Sequence, residues 1–228
     1  AKIKYSDIYI ATAYFRLDKN ILDKAKNLKI IFSPATGKDH LDLDEIKKRK
    51  IKLYHIAKEI RLLRRFTATS ELVFGLILTL YRSLIKNTLA AKNGHWIRSK
   101  YRGWQLFGKT IGIIGLGRLG TITSKIAKGF GMKIHYHNRS KLSTNLEDGA
   151  IYHKDIKSLF GESEFLSINC PATPDTLKII NKQTLSYLND NTVIGNAARG
   201  DVVDDEAMVD ALKSEKIFAY GLDVYNGE

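Results

Sequence analysis

Residues 108–120 read Gly-Lys-Thr-Ile-Gly-Ile-Ile-Gly-Leu-Gly-Arg-Leu-Gly, and no other segment narrows the possible folds as much. An apolar run of strand length ends on Gly115-x-Gly117-x-x-Gly120, and the stretch from Leu119 to Phe130 then has helical periodicity. Strand, glycine turn and helix in that order open a parallel βαβ unit that holds a dinucleotide. Gly115 permits the tight turn, Gly117 lets the backbone approach a pyrophosphate, and Gly120 allows close packing of helix on sheet. Amides at the helix start, notably those of Arg118 and Leu119, then face the phosphates. A glycine turn without a ligand is the competing reading.

The same alternation runs along nearly the whole chain. Strand-length apolar runs lie at Ile8 to Ala11, Lys29 to Phe32, Ile51 to Tyr54, Thr110 to Ile114, Lys133 to His137, Phe165 to Asn169, Thr192 to Gly195 and Phe218 to Val224. Between them, helix-period stretches cover Asn20 to Asn27, Leu43 to Lys50, a long one from Thr69 to Ala91, Leu119 to Phe130, Thr184 to Leu188 and Asp204 to Ser214. This pattern predicts an α/β fold of parallel sheets with helices on their faces. A charged stretch over residues 57–67 separates three βα-like units from the long helix. Two lobes follow: residues 1–66, a flavodoxin-like substrate lobe that is incomplete, and residues 67–228, a Rossmann-type doubly wound cofactor lobe. Ligands in open α/β sheets sit at the carboxyl ends of the strands, so the active site is expected in a cleft between the lobes.

Composition removes several alternatives. With 44% hydrophobic and 27% charged residues in 228, the chain is too apolar for intrinsic disorder. One cysteine, Cys170, excludes an intrachain disulfide, no Cys/His cluster has metal-ligand spacing, and a reducing compartment, the cytoplasm, is expected. The apolar run Leu72 to Tyr81 is far short of the roughly 20 residues that a bilayer needs, so it reads as a buried helix and no membrane partner is expected. The opening Ala1-Lys2-Ile3-Lys4 has no signal-peptide core, and the missing initiator Met suggests an upstream piece. The net charge of +13 favours anionic partners. Its densest groups, Lys47-Lys48-Arg49-Lys50 and residues 61–65, lack interleaved aromatics and read as solvated faces rather than a nucleic-acid surface.

The second strand of the cofactor lobe ends on Asn138-Arg139-Ser140, about 20 residues past the glycines, where an NAD site places Asp or Glu on the adenosine ribose. Asn138 carries no charge to repel a 2′-phosphate, and Arg139 and Ser140 can hold one, so NADP is expected ahead of NAD. A surface role for Arg139 stays open.

Three further segments complete the pattern: Asn169-Cys-Pro-Ala-Thr-Pro-Asp-Thr176, Asn196-Ala-Ala-Arg199-Gly-Asp-Val-Val-Asp-Asp, and Gly221-Leu-Asp-Val-Tyr-Asn-Gly-Glu228. With them, and with Gly37-Lys-Asp39-His-Leu-Asp42-Leu and Ser70-Glu71, essentially the whole chain resembles the D-isomer-specific 2-hydroxyacid dehydrogenases. The resemblance implies hydride transfer between NAD(P)H and a small 2-oxo or 2-hydroxy acid, with glyoxylate or hydroxypyruvate as plausible substrates, in a homodimer formed largely through cofactor-lobe helices. It makes Arg199 the catalytic arginine that holds the 2-oxo acid, a role its chemistry suits. Glu228 becomes the acid that raises the pKa of a proton-donating histidine. Asp223 is placed on the nicotinamide carboxamide, with a buried turn cap as the alternative. Pro171 and Thr176 line the adenine side, with Cys170 and Ala197 beside the cofactor. Cys170 reads as small packing rather than a nucleophile. Backbone amides around Thr36 and Gly37 receive the substrate carboxylate as an anion nest.

One departure is large: the family's catalytic histidine lies beyond the acid, and none of His40, His55, His95, His135, His137 and His153 matches it by motif. The expectation is a fragment lacking both ends that binds cofactor with little or no turnover. The competing function is a dinucleotide-sensing binding protein resembling the family's corepressor branch, against which Arg199 and Glu228 argue. Glu228 also argues against the formate dehydrogenase branch.

Overall fold

The computed structural model describes residues 2–96 and 102–226. The chain divides into two units, Ala1–Phe66 and Thr67–Glu228.

The first unit is a three-stranded parallel sheet in the order β1-β2-β3, built from β1 (Ile8–Ile10), α1 (Lys19–Lys24), β2 (Ile30–Ser33), α2 (Leu43–Lys48) and β3 (Lys52–His55), with α3 (Ile60–Leu63) following. Both crossover helices begin on an aspartate: Asp18 accepts from the Ile21 amide at 2.9 Å and Asp42 from the Glu45 amide at 3.0 Å. Such caps satisfy donors that the first turn leaves without partners. Leu22 and Ile46 bury the helices against Ile31 and Ile51. The sheet's other row, Ile8, Ile10, Phe32 and Tyr54, is exposed. Arg49, in the densest basic run, clamps α2 to α1, donating to Glu45, to Asp23 and to the Leu22 carbonyl at 2.9 Å. It therefore serves the fold.

The second unit contains α4 (Ala68–Tyr81), α5 (Leu84–Lys92), β4 (Thr110–Ile114), α6 (Arg118–Gly129), β5 (Lys133–His137), α7 (Thr144–Glu147), β6 (Ile151–His153), α8 (Ile156–Gly161), β7 (Phe165–Ile168), α9 (Lys182–Leu185), β8 (Thr192–Asn196), α10 (Asp205–Lys213) and β9 (Ile217–Leu222). Its six parallel strands run β6-β5-β4-β7-β8-β9, so the order reverses at β4. Alternate residues of each strand feed two cores. Ile111, Ile113, Phe165 and Val193 pack with Val73, Phe74 and Ile77 of α4 and Ala127 of α6. Ile114, Leu166, Ile168 and Ile194 pack with Leu159 and Phe160 of α8, Leu185 of α9 and Met208 of α10. Period-two burial on both faces is what a doubly wound sheet requires.

The long helix expected over Thr69 to Ala91 is two helices. The chain breaks at Arg82-Ser83, where Ser83 takes a left-handed conformation (φ 53°) and the Asn87 side chain donates to the Arg82 carbonyl at 3.3 Å. Val73, Phe74 and Ile77 of α4 are buried inside the unit, where the helix lies against β8, β9 and α6, whereas α5 leaves Leu84, Ile85 and Leu89 exposed. No single helix among the described residues is long and apolar enough to cross a membrane. Strand β6, not anticipated from the sequence, pairs with β5.

This last pairing brings together three histidines. Buried His135 and His153 stack, with Nδ1 of the first 2.9 Å from Nε2 of the second. His153 Nδ1 lies 2.6 Å from the Ser158 hydroxyl, and His137 donates from Nδ1 to the His153 carbonyl at 2.9 Å. Burial holds the pKa of both His135 and His153 below 6.5. For His135 the neighbouring His153 and Lys133 add to this and Glu162 opposes it; for His153, Glu162 and Asp155 oppose it and His137 adds. The unfolded chain therefore binds more protons, and this contribution to stability is complete above pH 6.5 and declines as pH falls toward the lowered native values. We expect the urea midpoint to drop between about pH 7.5 and 5.5, and to drop less in His135→Gln. A midpoint that does not move would contradict this.

Candidate active site

Strand β4 ends between β5 and β7, and Gly115 leaves it with φ 94°, its amide donating to the His137 carbonyl at 3.0 Å. A side chain there would face strain and would stand 3.1 Å from the Asn169 carbonyl and the Cys170 amide. A Cβ on Gly120 would run into the Gly115 carbonyl oxygen, so α6 can lie this close to the turn only without one. At Gly117, by contrast, a Cβ would meet nothing within 4 Å. Gly117 is the cap residue of α6 and has no side chain to bond the first amides of the helix, those of Arg118 and Leu119. An open, Cβ-free lip before a helix N-terminus fits a dinucleotide pyrophosphate. The Ser70 hydroxyl donates to the Leu119 carbonyl at 3.1 Å and fixes α4 to this turn.

Asn138, at the end of β5, accepts from the Leu116 amide through Oδ1 at 2.7 Å, so it braces the glycine turn from the next strand. Arg139 and Ser140 beyond it are exposed. Their segment is tied at its far end through Tyr136, whose buried hydroxyl accepts from the Leu142 amide at 3.1 Å and donates to Glu147 at 2.6 Å. Burial and the Glu147 bond push the Tyr136 pKa up to about 12.

After β7, Cys170 lies in the core with Ile114 and Ile168, and burial raises its thiol pKa to about 11. Its side chain packs; the backbone of the turn is what Cys170 has to offer a ligand. Thr176 closes that turn, its hydroxyl donating to the Pro171 carbonyl at 2.6 Å and accepting from the Thr173 amide at 2.8 Å. Pro171 is exposed.

A residue the sequence reading passed over organises the far side. Asn196 is fully buried at the end of β8. Its Oδ1 accepts from the Ala198 amide at 3.0 Å, and its Nδ2 donates to the Arg199 carbonyl at 2.9 Å and to the Tyr220 hydroxyl at 3.1 Å. The Asn196 carbonyl accepts from the Asp223 amide at 3.0 Å. One residue thus sets both the Arg199 turn and the exit of β9. Arg199 is half-buried and donates to the Ala198 carbonyl at 2.6 Å, and Ala197 packs on the α4 side. The Asp223 side chain is exposed, which removes the buried-cap alternative. Glu228 lies outside the described residues. In the first unit, Thr36 is exposed and Gly37 half-buried on the loop after β2.

The carboxyl edge of one six-stranded sheet therefore gathers the glycine turn, Asn138 to Ser140, the Pro171–Thr176 turn, Arg199 and Asp223. A family model described as D-isomer specific 2-hydroxyacid dehydrogenase, NAD binding domain, matches residues 74–228, and one described as the catalytic domain of the same family matches residues 1–59. A glyoxylate reductase of Thermococcus litoralis is 34% identical over 234 residues, covering all of this chain and 69% of the relative. A hydroxypyruvate reductase of Thermotoga maritima is 33% identical, over 97% of this chain and 70% of its own length. The solved structure of D-lactate dehydrogenase from Aquifex aeolicus, complexed with NAD and lactic acid, superposes with a TM-score of 0.90 at 30% identity, over 99% of this chain and 66% of that one. Motif order, sheet topology and these matches agree across both units, and the chain belongs to the D-isomer-specific 2-hydroxyacid dehydrogenases.

Proposed function

We propose that this protein reduces a small 2-oxo acid of the glyoxylate or hydroxypyruvate type to the 2-hydroxy acid, with NADPH preferred over NADH. The observation that carries the reading is the gathering of a pyrophosphate-fitting turn and Arg199 on one sheet edge. The reduced nicotinamide supplies the hydride when bound. The protein's part is to hold and orient both partners. Gly115, Gly117, Gly120 and the amides of Arg118 and Leu119 hold the pyrophosphate, with Asn138, Arg139 and Ser140 at the adenosine ribose. Asp223 takes the carboxamide, and the 171–176 turn lines the adenine side. The amides of Thr36 and Gly37 receive the carboxylate. Arg199 spans carboxylate and carbonyl, and favours the negative charge that grows on the carbonyl oxygen as its carbon is reduced. Glu228 is assigned to support a proton-donating imidazolium. A second copy of the chain is the expected protein partner, with Leu84, Ile85 and Leu89 on α5 as its apolar contact.

His40, His55, His135, His137 and His153 each hold a hydrogen bond within their own unit, and the readout that tests the proposal is ligand binding. Oxamate, an unreactive analogue of a 2-oxo acid, is expected to bind the NADPH-saturated protein. Arg199→Ala removes charge-assisted hydrogen bonds worth about 1.5–3 kcal/mol, a loss of roughly 10- to 100-fold in oxamate affinity. NADPH affinity should be unchanged. Equal oxamate affinity in the two proteins would remove Arg199 from the site.

A further inference from the structure

The first unit buries Ser33, His40 and His55, with relative exposures of 0%, 5% and 6%, and none of them has a part in the proposed reaction. All three are fastened to the loop that carries Thr36 and Gly37. That loop leaves β2 at Ser33 and returns at His40, and its neck is closed by the Ser33 hydroxyl and His40 Nε2, 3.1 Å apart. Ser33 also sits opposite His55 in the β2–β3 register, which brings the end of β3 beneath the loop.

The chemistry of His55 is defined by its two partners. The Ala57 amide donates to His55 Nδ1 at 2.9 Å, so that nitrogen presents its lone pair. The ring proton of the neutral imidazole is therefore on Nε2, and Nε2–H donates to the Gly37 carbonyl at 3.1 Å. The peptide from Gly37 to Lys38 is trans, so its C=O and N–H point in opposite directions. Drawing the carbonyl down to a buried ring turns the Lys38 amide away from it, on the exposed part of the loop. If that peptide were free to rotate, it could present a carbonyl oxygen, which repels an anion, in place of the amide.

From this we infer that His55 is a positioning residue for substrate: it holds the Gly37–Lys38 peptide in the orientation that adds the Lys38 amide to those of Thr36 and Gly37 as donors to a carboxylate. The inference rests on the proposal that this loop receives the carboxylate. A buried ring wedged between β3 and the loop does what a flexible side chain could not, because two of its atoms are committed at once and the loop cannot turn without breaking one bond.

Two variants separate the bonds. His55→Asn keeps an acceptor near the position of Nδ1 for Ala57 but has no atom that reaches Gly37. His55→Gln keeps a donor near the position of Nε2 for the Gly37 carbonyl. The experiment titrates oxamate into the NADPH-saturated full chain and follows the backbone amide resonances of Thr36, Gly37 and Lys38. In the unaltered protein, all three are expected to shift. Affinity is expected to fall about 10-fold in His55→Asn and to stay within about threefold in His55→Gln, with NADPH affinity unchanged in both. Equal affinity in all three proteins, or an equal loss in both variants, would overturn the positioning role while leaving the loop assignment intact. Oxamate binding to the unaltered protein without movement of those three resonances would overturn the loop assignment itself.

Discussion

Gly120→Ala is expected to lower NADPH affinity roughly 100-fold or more. The added Cβ would collide with the Gly115 carbonyl oxygen and come within 3.0 Å of its carbon. Both atoms belong to the backbone and cannot rotate aside, so α6 must move away from the turn. Overpacking of this kind typically costs about 1–3 kcal/mol in stability. The larger effect is on binding, because the Arg118 and Leu119 amides shift with the helix and lose their common aim at the phosphates. Gly129→Ala, at the other end of the same helix, meets no atom within 4 Å. That control should keep full affinity. Quenching of tryptophan by energy transfer to bound NADPH measures both, and a Gly120→Ala protein within threefold of the parent would place the phosphates elsewhere.

Under the proposed preference for NADPH, Asn138→Asp should move the ratio of NADPH to NADH affinity by roughly 100-fold toward NADH. A carboxylate can still accept from the Leu116 amide, which Asn138 Oδ1 meets at 2.7 Å, so the turn keeps its brace. What changes is charge. A new negative charge about 4 Å from one on a 2′-phosphate is worth about 4 kcal/mol at an effective dielectric of 20. Arg139 and Ser140 are exposed, so solvent and salt screen part of this. NADH has no 2′-phosphate to repel, and its ribose hydroxyls gain an acceptor. Parallel titrations with the two reduced cofactors give the ratio directly. A ratio that does not change would mean that Asn138 does not face the ribose.

Much of this architecture was legible because each signal was local. The strand before Gly115 and the helix after it are both continuous in sequence, and two of the glycines have local backbone reasons, the positive φ of Gly115 and the approach of Gly120 to the Gly115 carbonyl. What escaped was tertiary. Strand β6 is only Ile151–His153, too short to show a period, and it exists through pairing with β5. The break after α4 falls on Arg82-Ser83, without Gly or Pro, while the glycine in that region, Gly75, lies within the helix. Membership of a motif also did not say which atoms face a ligand: Cys170 turns its thiol into the core, and Thr176 holds its own turn together. His55 belongs to no motif, and that it and His40 are bonded to one loop shows only when the register of β2 and β3 is known.

Asn196 has a consequence for how such a site can be altered. Because one amide group and its own carbonyl hold the Arg199 turn, Tyr220 and the Asp223 backbone together, the ends of β8 and β9 share a single anchor. An insertion or a new rotamer at either end is felt at the other. Redesign that begins at the end of β8 would therefore disturb the exit of β9 as well.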